Sequence, residues 1–379
     1  MRTAKIVEQL VAIDASAWDG LHDGRNPFVS HAFLSGLETH DCLLAHRGWV
    51  PQHLTLWDGD ALVAAAPMYR KVNSHGEFVF DHAWAHAYAQ HGLDYFPKWL
   101  CAVPYSPVPG PRLLARTTED RALLLAAIRQ VTTQTGMSSA HINFLQADDA
   151  AVFEGTNARE WLERIDVQYH WHNNAGWTDF ESFLAAFNHK NRKNIRQERS
   201  KLQRSGVTFR VVHGRDASDA DLDAMHGFYR QTFAEYGNHA ALTRPFFTHL
   251  ATTLPDALVM FFAVHDDVPV AGALCLRGED TLYGRYWGSS EQRPGLHFET
   301  CYYQGIDYCL REGLTRFEPG AQGEHKLARG FLPTIIRSRH WIAHPQFRGA
   351  LREWCASERA SIERYAASLT EHSPFKVID

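Results

Sequence analysis

Phe261-Phe-Ala-Val-His-Asp-Asp-Val-Pro-Val-Ala-Gly-Ala-Leu-Cys-Leu276 decides the fold. Two apolar runs flank an Asp-Asp pair, a pattern that spells strand, turn, strand. Leu54-Thr-Leu-Trp-Asp-Gly-Asp-Ala-Leu-Val-Ala-Ala-Ala-Pro-Met-Tyr69 has the same shape, and its Asp58-Gly59 is a strong hairpin signal. Setting Val63-Ala-Ala65 on Val270-Ala-Gly272 gives an offset of 270 − 63 = 207 residues, a little over half of the 379-residue chain. A self-similarity of that period marks a duplicated domain.

Downstream of the second hairpin, Asp280-Thr-Leu-Tyr-Gly-Arg-Tyr-Trp-Gly-Ser289 reads as a third strand. Leu296 to Glu312 reads as a helix, because Phe298, Cys301, Tyr302, Ile306, Cys309 and Leu310 recur at spacings of three and four. Gly313 stands where a helix C-cap glycine belongs, and Leu314-Thr-Arg-Phe-Glu318 is a further short strand. Hairpin, strand, helix, strand is the order of the acyl-CoA N-acyltransferase (GNAT) core. The expectation is an α+β chain of two tandem GNAT-like folds, with mixed, mostly antiparallel sheets flanked by helices. Residues 1–170 form the first domain, and residues 171–379 form the second, which carries the chemistry.

Between the hairpins, Phe183, Leu184, Phe187, Ile195 and Leu202 mark a helix or helix pair over residues 180–204, with Asp179 as N-cap and Ser205-Gly206 as its end. Its polar face carries Lys190, Arg192, Lys193, Arg196, Arg199, Lys201 and Arg204 against Glu198, which is 7 − 1 = +6. Such a face suits the phosphates of tRNA, CoA or a nucleotide-linked precursor, or it is simply solvated. Pro104 to Pro111 is a rigid loop. Gln346 to Leu369 is a tail helix with Phe347, Leu351, Trp354, Ile362 and Tyr365 as its apolar stripe.

The apolar fraction of 45% and charged fraction of 21% are those of a globular chain long enough for two cores. A net charge of −5 argues against a DNA-binding or anionic-membrane protein. The first residues carry scattered charges rather than a secretory signal, and no window is apolar enough to span a bilayer. A cytoplasmic location is the expectation. Cys42, Cys101, Cys275, Cys301, Cys309 and Cys355 form no C-x-x-C pair and read as reduced structural thiols.

Several strings are more specific. Pro67-Met-Tyr-Arg-Lys71, Gly76-Glu-Phe-Val-Phe-Asp-His-Ala-Trp-Ala85, Tyr95-Phe-Pro-Lys98 and Pro104-Tyr-Ser-Pro-Val-Pro-Gly-Pro-Arg112 fall in the first half. Leu296-His-Phe-Glu-Thr-Cys-Tyr-Tyr-Gln304, Phe317-Glu-Pro-Gly-Ala-Gln-Gly-Glu-His-Lys326, Arg329-Gly-Phe-Leu-Pro333 and Ser373-Pro-Phe-Lys376 fall in the second. Over nearly the whole chain these runs resemble the FemAB-like family linked to peptidoglycan biosynthesis. Arg192-Lys-Asn-Ile-Arg196 with Ser205-Gly-Val207 also resembles a segment of the Fem aminoacyltransferases, which move amino acids from aminoacyl-tRNA to a peptidoglycan precursor. The resemblance implies tandem GNAT folds and amide-forming acyl transfer. It leaves acyl-CoA or aminoacyl-tRNA as donor, and a small molecule or peptidoglycan precursor as acceptor. The long coiled-coil arm of some Fem enzymes has no counterpart here, since heptads are nowhere sustained.

A GNAT site needs an anion site for the donor, a group that deprotonates the acceptor amine and donors for the oxyanion. Gln292-Arg-Pro-Gly295-Leu-His297 stands where the pyrophosphate turn belongs, with Gln292 and Gly295 as anchors and His297 where a tiny residue is expected. Glu299 and His297, at the helix start, are candidate catalytic groups or merely caps. Glu324 and His325 are further candidate bases in a glycine-rich loop, where Lys326, Arg329 and Glu318 suit substrate. Tyr302 and Arg285 join them as expected substrate contacts, and Asp81, Trp84 and Tyr105 as a wall of the acceptor pocket. His82 and His86 sit four apart, as metal ligands on a helix would, but no Cys or carboxylate set completes a site and no metal is expected. The alternative is a non-catalytic module that recognises a peptidoglycan precursor or small molecule on a degenerate scaffold, a reading that the bulky His297 favours.

Overall fold

The two hairpins pair alike to the residue. In the computed structural model His53–Asp58 and Ala61–Ala66 run antiparallel, with Leu56 opposite Ala64 and a register shift between Leu56 and Trp57. Leu258–His265 and Val268–Arg277 do the same, with Ala263 opposite Ala271 and the shift between Ala263 and Val264. Each position lies 207 residues from its counterpart (263 − 56, 271 − 64, 264 − 57). A bulge adds twist at one defined place, so its repetition at one offset shows the same hairpin built twice. The tips agree as well: Gly59 and Asp266 both take left-handed φ values, 59° and 49°.

The structure describes residues 2–154, 156–320 and 323–376. It divides into two units, Met1–Asp166 with Ile335–Arg364, and Val167–Thr334 with Tyr365–Asp379. In the first, Arg2–Val7, the hairpin and Leu114–Ala115 make a four-stranded antiparallel sheet. Met68–Lys71 leads into a second sheet. There Lys98–Cys101 pairs antiparallel with it and parallel to Ser139–Leu145, and Ser139–Leu145 pairs with residues 337–342. The helix Thr118–Gln134 lays Leu124, Leu125 and Ile128 onto Leu54, Leu56, Trp99 and Ile142. That burial of large apolar side chains is the main favourable term holding the unit together.

The second unit strings Thr208–His213, the hairpin and Thr281–Ser289 into an antiparallel sheet. Thr281–Ser289 then pairs parallel with Arg316–Glu318, which pairs antiparallel with the end of Leu162–His172. Phe180–Ala185, capped by Asp179 with Ser182 in a reciprocal box, and His189–Gln203 are the expected helix pair. The stretch Leu296–Glu312 is helical but not uniform. Leu296–Phe298 is α, Glu299–Tyr303 is a π turn, and Gln304–Glu312 returns to α before Gly313 caps it at φ 70°. Tyr303, Ile306, Cys309, Phe183 and Phe187 fill one face of the sheet with Phe317 and Trp171. On the other face Asp219–Glu235 crosses so closely that a Cβ at Gly288 would overlap the Phe228 carbonyl. The tail helix runs Pro345–Glu371. All six cysteines are free thiols, and among the described residues no group of His, Cys, Asp and Glu could hold a metal. No described helix is long and apolar enough to cross a membrane.

Candidate active site

Two parallel strands of the second unit part after only three residue pairs, Thr281 with Arg316, Leu282 with Phe317 and Tyr283 with Glu318. Thr281–Ser289 runs on through Gly284 and Arg285, while the other strand turns off at Pro319-Gly320. Glycine at 284 lets the chains separate in little space: a Cβ there would stand 3.3 Å from both the Phe317 ring and Pro319 Cα. Side chains alternate across a strand, so the apolar face takes Tyr169, Trp171, Leu282 and Phe317. The opposite face takes Gln168, His170, Thr281, Tyr283 and Glu318, all buried and nearly all polar. Burial keeps His170 uncharged, its imidazole held well below the usual range, with His172, Arg316, Arg285 and Lys326 adding to the effect. His170 Nε2 donates to Gln168 Oε1 at 3.0 Å.

The 3₁₀ turn Glu324–Arg329 sits beside this parting of strands. Lys326 is 3% exposed and donates from Nζ to the Gly320 carbonyl at 2.7 Å. Burial brings its ammonium down to about 7; the Cys301 thiol opposes the shift and Arg285 adds to it. Arg329 is buried too, with its guanidinium 3.3 Å over the Phe298 ring and held by the His325 carbonyl and Glu198 at 2.8 Å each. Glu198, the lone acid of the basic run, also accepts from Tyr303. His325 is exposed and meets Tyr302 Oη through Nε2 at 2.9 Å. At Gly323, φ 115°, a Cβ would collide with the His325 ring, so the glycine is what lets that ring lie back on its own turn. Glu324 accepts from Tyr365 Oη. Ala321 and Gln322 of the glycine-rich motif lie outside the described residues.

His297 faces the same group. Its ring stands 5.0 Å from Trp287, 5.3 Å from Tyr302 and 6.1 Å from His325. Burial, then His325, Lys326 and Arg329, bring it down to about 4, so it is an uncharged imidazole at neutral pH. Gln292 is exposed and Gly295 takes φ 85° just before the helix. Gln292 and His297 line one side of a cleft of about 580 Å³ together with Trp287, Tyr236 and Glu235.

Glu299 is placed otherwise than as an N-terminal cap. It is the first residue of the π turn, is 4% exposed, and accepts from Arg199 Nη2 at 2.9 Å, Arg199 Nε at 3.1 Å and Gln304 Nε2 at 2.8 Å. Arg199 also reaches Asp307 at 3.2 Å and lies 4.0 Å over Phe180. One cation of the seven in the basic run thus turns inward and ties its helix to the π turn. Burial outweighs Arg199 at Glu299, whose carboxyl is raised. The remaining basic face borders a groove of about 430 Å³ lined by His189, Arg192, Lys193, Arg196 and Arg204.

Asp81, Trp84 and Tyr105 belong to the first unit and are held within it. Asp81 accepts from Ser74, Tyr95 and Lys98; burial raises its carboxyl, but Lys98 and these hydrogen bonds bring it below the ordinary range. Trp84 is buried, 5.2 Å from the His340 ring and 5.2 Å from the Arg164 guanidinium. Tyr105, at φ 56°, lies 5.2 Å from Trp49 and against Gly76. His82 and His86 do share the helix His82–Gln90. Arg199 as a clamp, Glu198 as a bridge, and His170 and Trp287 as lining were not singled out beforehand. Gln168-Tyr-His-Trp-His172 alternates polar and aromatic with period two, and that signal points to a strand with one polar face.

The FemAB-like family model, described as peptidoglycan biosynthesis/recognition, matches residues 9–377. A search of curated proteins finds no match. Among solved structures, FemX is similar over 90% of this chain and 98% of its own, at 11% identity and a TM-score of 0.55. L-PGS from Bacillus licheniformis is similar over 87% and 97%, at 11% identity and a TM-score of 0.51. A tandem GNAT protein from the clavulanic acid biosynthesis pathway covers 91% and 99% at 12% identity, with a TM-score of 0.45. With the doubled hairpin and the parting strands, the family match and the likeness to FemX close the question of fold and kinship: the chain shares the fold of FemX and belongs to the FemAB-like family of peptidoglycan biosynthesis and recognition.

Proposed function

We propose that this chain transfers an acyl or aminoacyl group to an amine of a cell-wall precursor or related metabolite, with the chemistry in the second unit. One observation carries the reading: Tyr302, His325, His297 and buried Lys326 stand together where the parallel strands separate. Attack by an amine on an ester or thioester forms the C–N bond and a tetrahedral oxyanion. The amine then loses a proton and the donor's oxygen or sulfur leaves with the bonding pair. An uncharged His325 accepts that proton, relayed through the Tyr302 hydroxyl. The Lys326 ammonium stabilises the oxyanion, and it does so strongly because the lysine is buried. Nearby cations also favour the neutral, nucleophilic form of the amine.

Arg285 and Glu318 form the floor on which substrate rests, and Arg329 fixes the turn that carries His325 and Lys326. Gln292, Gly295 and the basic groove of His189–Gln203 suit the phosphates of acyl-CoA or aminoacyl-tRNA. Glu299 acts through Arg199 as a tie, and Glu324 through Tyr365. Lys326→Met and Tyr302→Phe should each lower turnover about 10²- to 10³-fold, as loss of an oxyanion donor or relay does, with the circular dichroism spectrum unchanged. The measurement is transfer from radiolabelled acetyl-CoA and charged tRNA to a nucleotide-linked precursor. Precursor binding without transfer from any donor would favour the recognition module instead.

A further inference from the structure

We infer that Glu198 is a positioning residue: through Arg329 it makes the placing of the turn Glu324–Arg329 depend on the helix His189–Gln203, so that phosphate bound on the helix sets His325 and Lys326. This rests on the transfer reading and adds to it a control of the site by the donor.

The helix His189–Gln203 carries two stripes. His189, Arg192, Lys193, Arg196 and Ser200 recur at helical spacing and border the basic groove. Ile195, Glu198, Arg199 and Leu202 recur at three and four on another stripe, where Ile195 and Leu202 are buried. Both stripes ride on one hydrogen-bonded rod, so whatever orders the first orders the second.

Glu198 gives each carboxylate oxygen to a different element. Oε1 accepts from Arg329 Nη2 at 2.8 Å, and Oε2 accepts from Tyr303 Oη. Tyr303 closes the π turn, and Arg329 closes the turn that holds His325 and Lys326. The Arg329 guanidinium also donates to the His325 carbonyl and lies over the Phe298 ring, while its Nε has no partner. Among the described residues Glu198 is its one carboxylate partner. A largely buried guanidinium follows its carboxylate, because leaving it unpaired is unfavourable. The path from helix to His325 is thus two hydrogen bonds long, Glu198 to Arg329 and Arg329 to the His325 carbonyl. Arg199, the next residue, ties the same helix to Glu299 at the other end of the π turn. An acid within a basic run weakens the attraction of that run for phosphate, and the bond to Arg329 gives it a separate task.

The test is hydrogen exchange of the full chain, read by mass spectrometry on peptides covering residues 323–331, alone, with deacylated tRNA and with coenzyme A. It needs binding but no transfer. The amides of Lys326, Gly330 and Phe331 bond within this segment. In the unsubstituted chain the polyanion that binds should slow their exchange about tenfold, a usual size for coupling between two sites, and the arm that does so names the donor. Glu198→Gln keeps the size and drops the charge. It should bind that polyanion at least as tightly, and the slowing should vanish. In transfer assays kcat should fall about tenfold in this variant with the donor KM not raised. Slowing of the same size in Glu198→Gln marks a static brace and overturns the inference, as does an unsubstituted turn indifferent to bound polyanion. Either result leaves the transfer reading standing. Binding of neither polyanion sinks the donor reading of the basic helix and the inference with it.

Discussion

Lys326 holds an ammonium in the interior with a carbonyl, not a carboxylate, as its hydrogen-bond partner. Burying such a group is unfavourable, and its titration near pH 7 records that. In the unfolded chain a lysine titrates at about 10.4. Between about 7 and about 10 the unfolded chain therefore binds the extra proton, and stability gains with rising pH. Below 7 the residue is charged in both states and its burial costs the most. Lys326→Met should accordingly stabilise the fold more at pH 6 than at pH 9, measured by urea denaturation at both. An equal effect at the two values would show that the ammonium is better solvated than its surroundings imply. On the transfer reading proposed above, the cost of burying Lys326 is offset by reactivity rather than by stability.

At the scale of elements, the tie from Arg199 to Glu299 matters most. It fastens the helix His189–Gln203 to the π turn, with Glu299 buried and Arg199 only partly exposed. Arg199→Met leaves a buried carboxylate with Gln304 alone and should cost about 3 kcal/mol, read from denaturant midpoints. Glu299→Gln keeps one oxygen as acceptor for Arg199 and Gln304 and should cost less, about 1 kcal/mol. If Glu299→Gln instead abolishes turnover in a fully stable protein, the carboxylate acts in the chemistry. The helix itself was legible from the spacing of Phe298, Tyr302, Ile306 and Leu310, and its end from Gly313. Its π turn was not, because one wide turn leaves apolar residues at spacings of three and four. Nor could spacing show that Arg199 points inward while Arg192 and Arg196 border the open groove. All three sit on one basic helix, and only Glu299, a hundred residues on in sequence, distinguishes them.

For the whole molecule, charge is unevenly spread. The net value of −5 conceals a helix face that is strongly positive. Contacts to phosphate release counterions, so affinity for a polyanionic donor should fall steeply with salt. Arg192→Glu with Lys193→Glu should reduce the slope of log K against log[salt] by about two and weaken binding of charged tRNA. A slope that does not move would mean that the face is merely solvated. The doubled architecture could be read from one hairpin motif because turn residues and apolar runs are local signals. The composition of the two units could not. The segment Ile335–Arg364 belongs with residues 1–166, and nothing in its own pattern says so. Asp81 illustrates the same limit: an acid near a loop reads as a ligand contact, but here it neutralises Lys98, 17 residues on in sequence, and spacing alone does not show that the two meet.

The widened turn at Glu299–Tyr303 has a genetic corollary. Such a turn houses a surplus amino acid that an ordinary coil would not need. Deleting one codon there would let the backbone close into uniform coils without disturbing Gln304–Glu312. Everything before the deletion would keep its facing, because the wide turn already absorbs the roughly 100° by which one more residue would rotate a regular helix. His297 would stay against Trp287 and His325. The smallest in-frame lesion this gene could suffer at that spot would thus spare both the fold and the placing of His297.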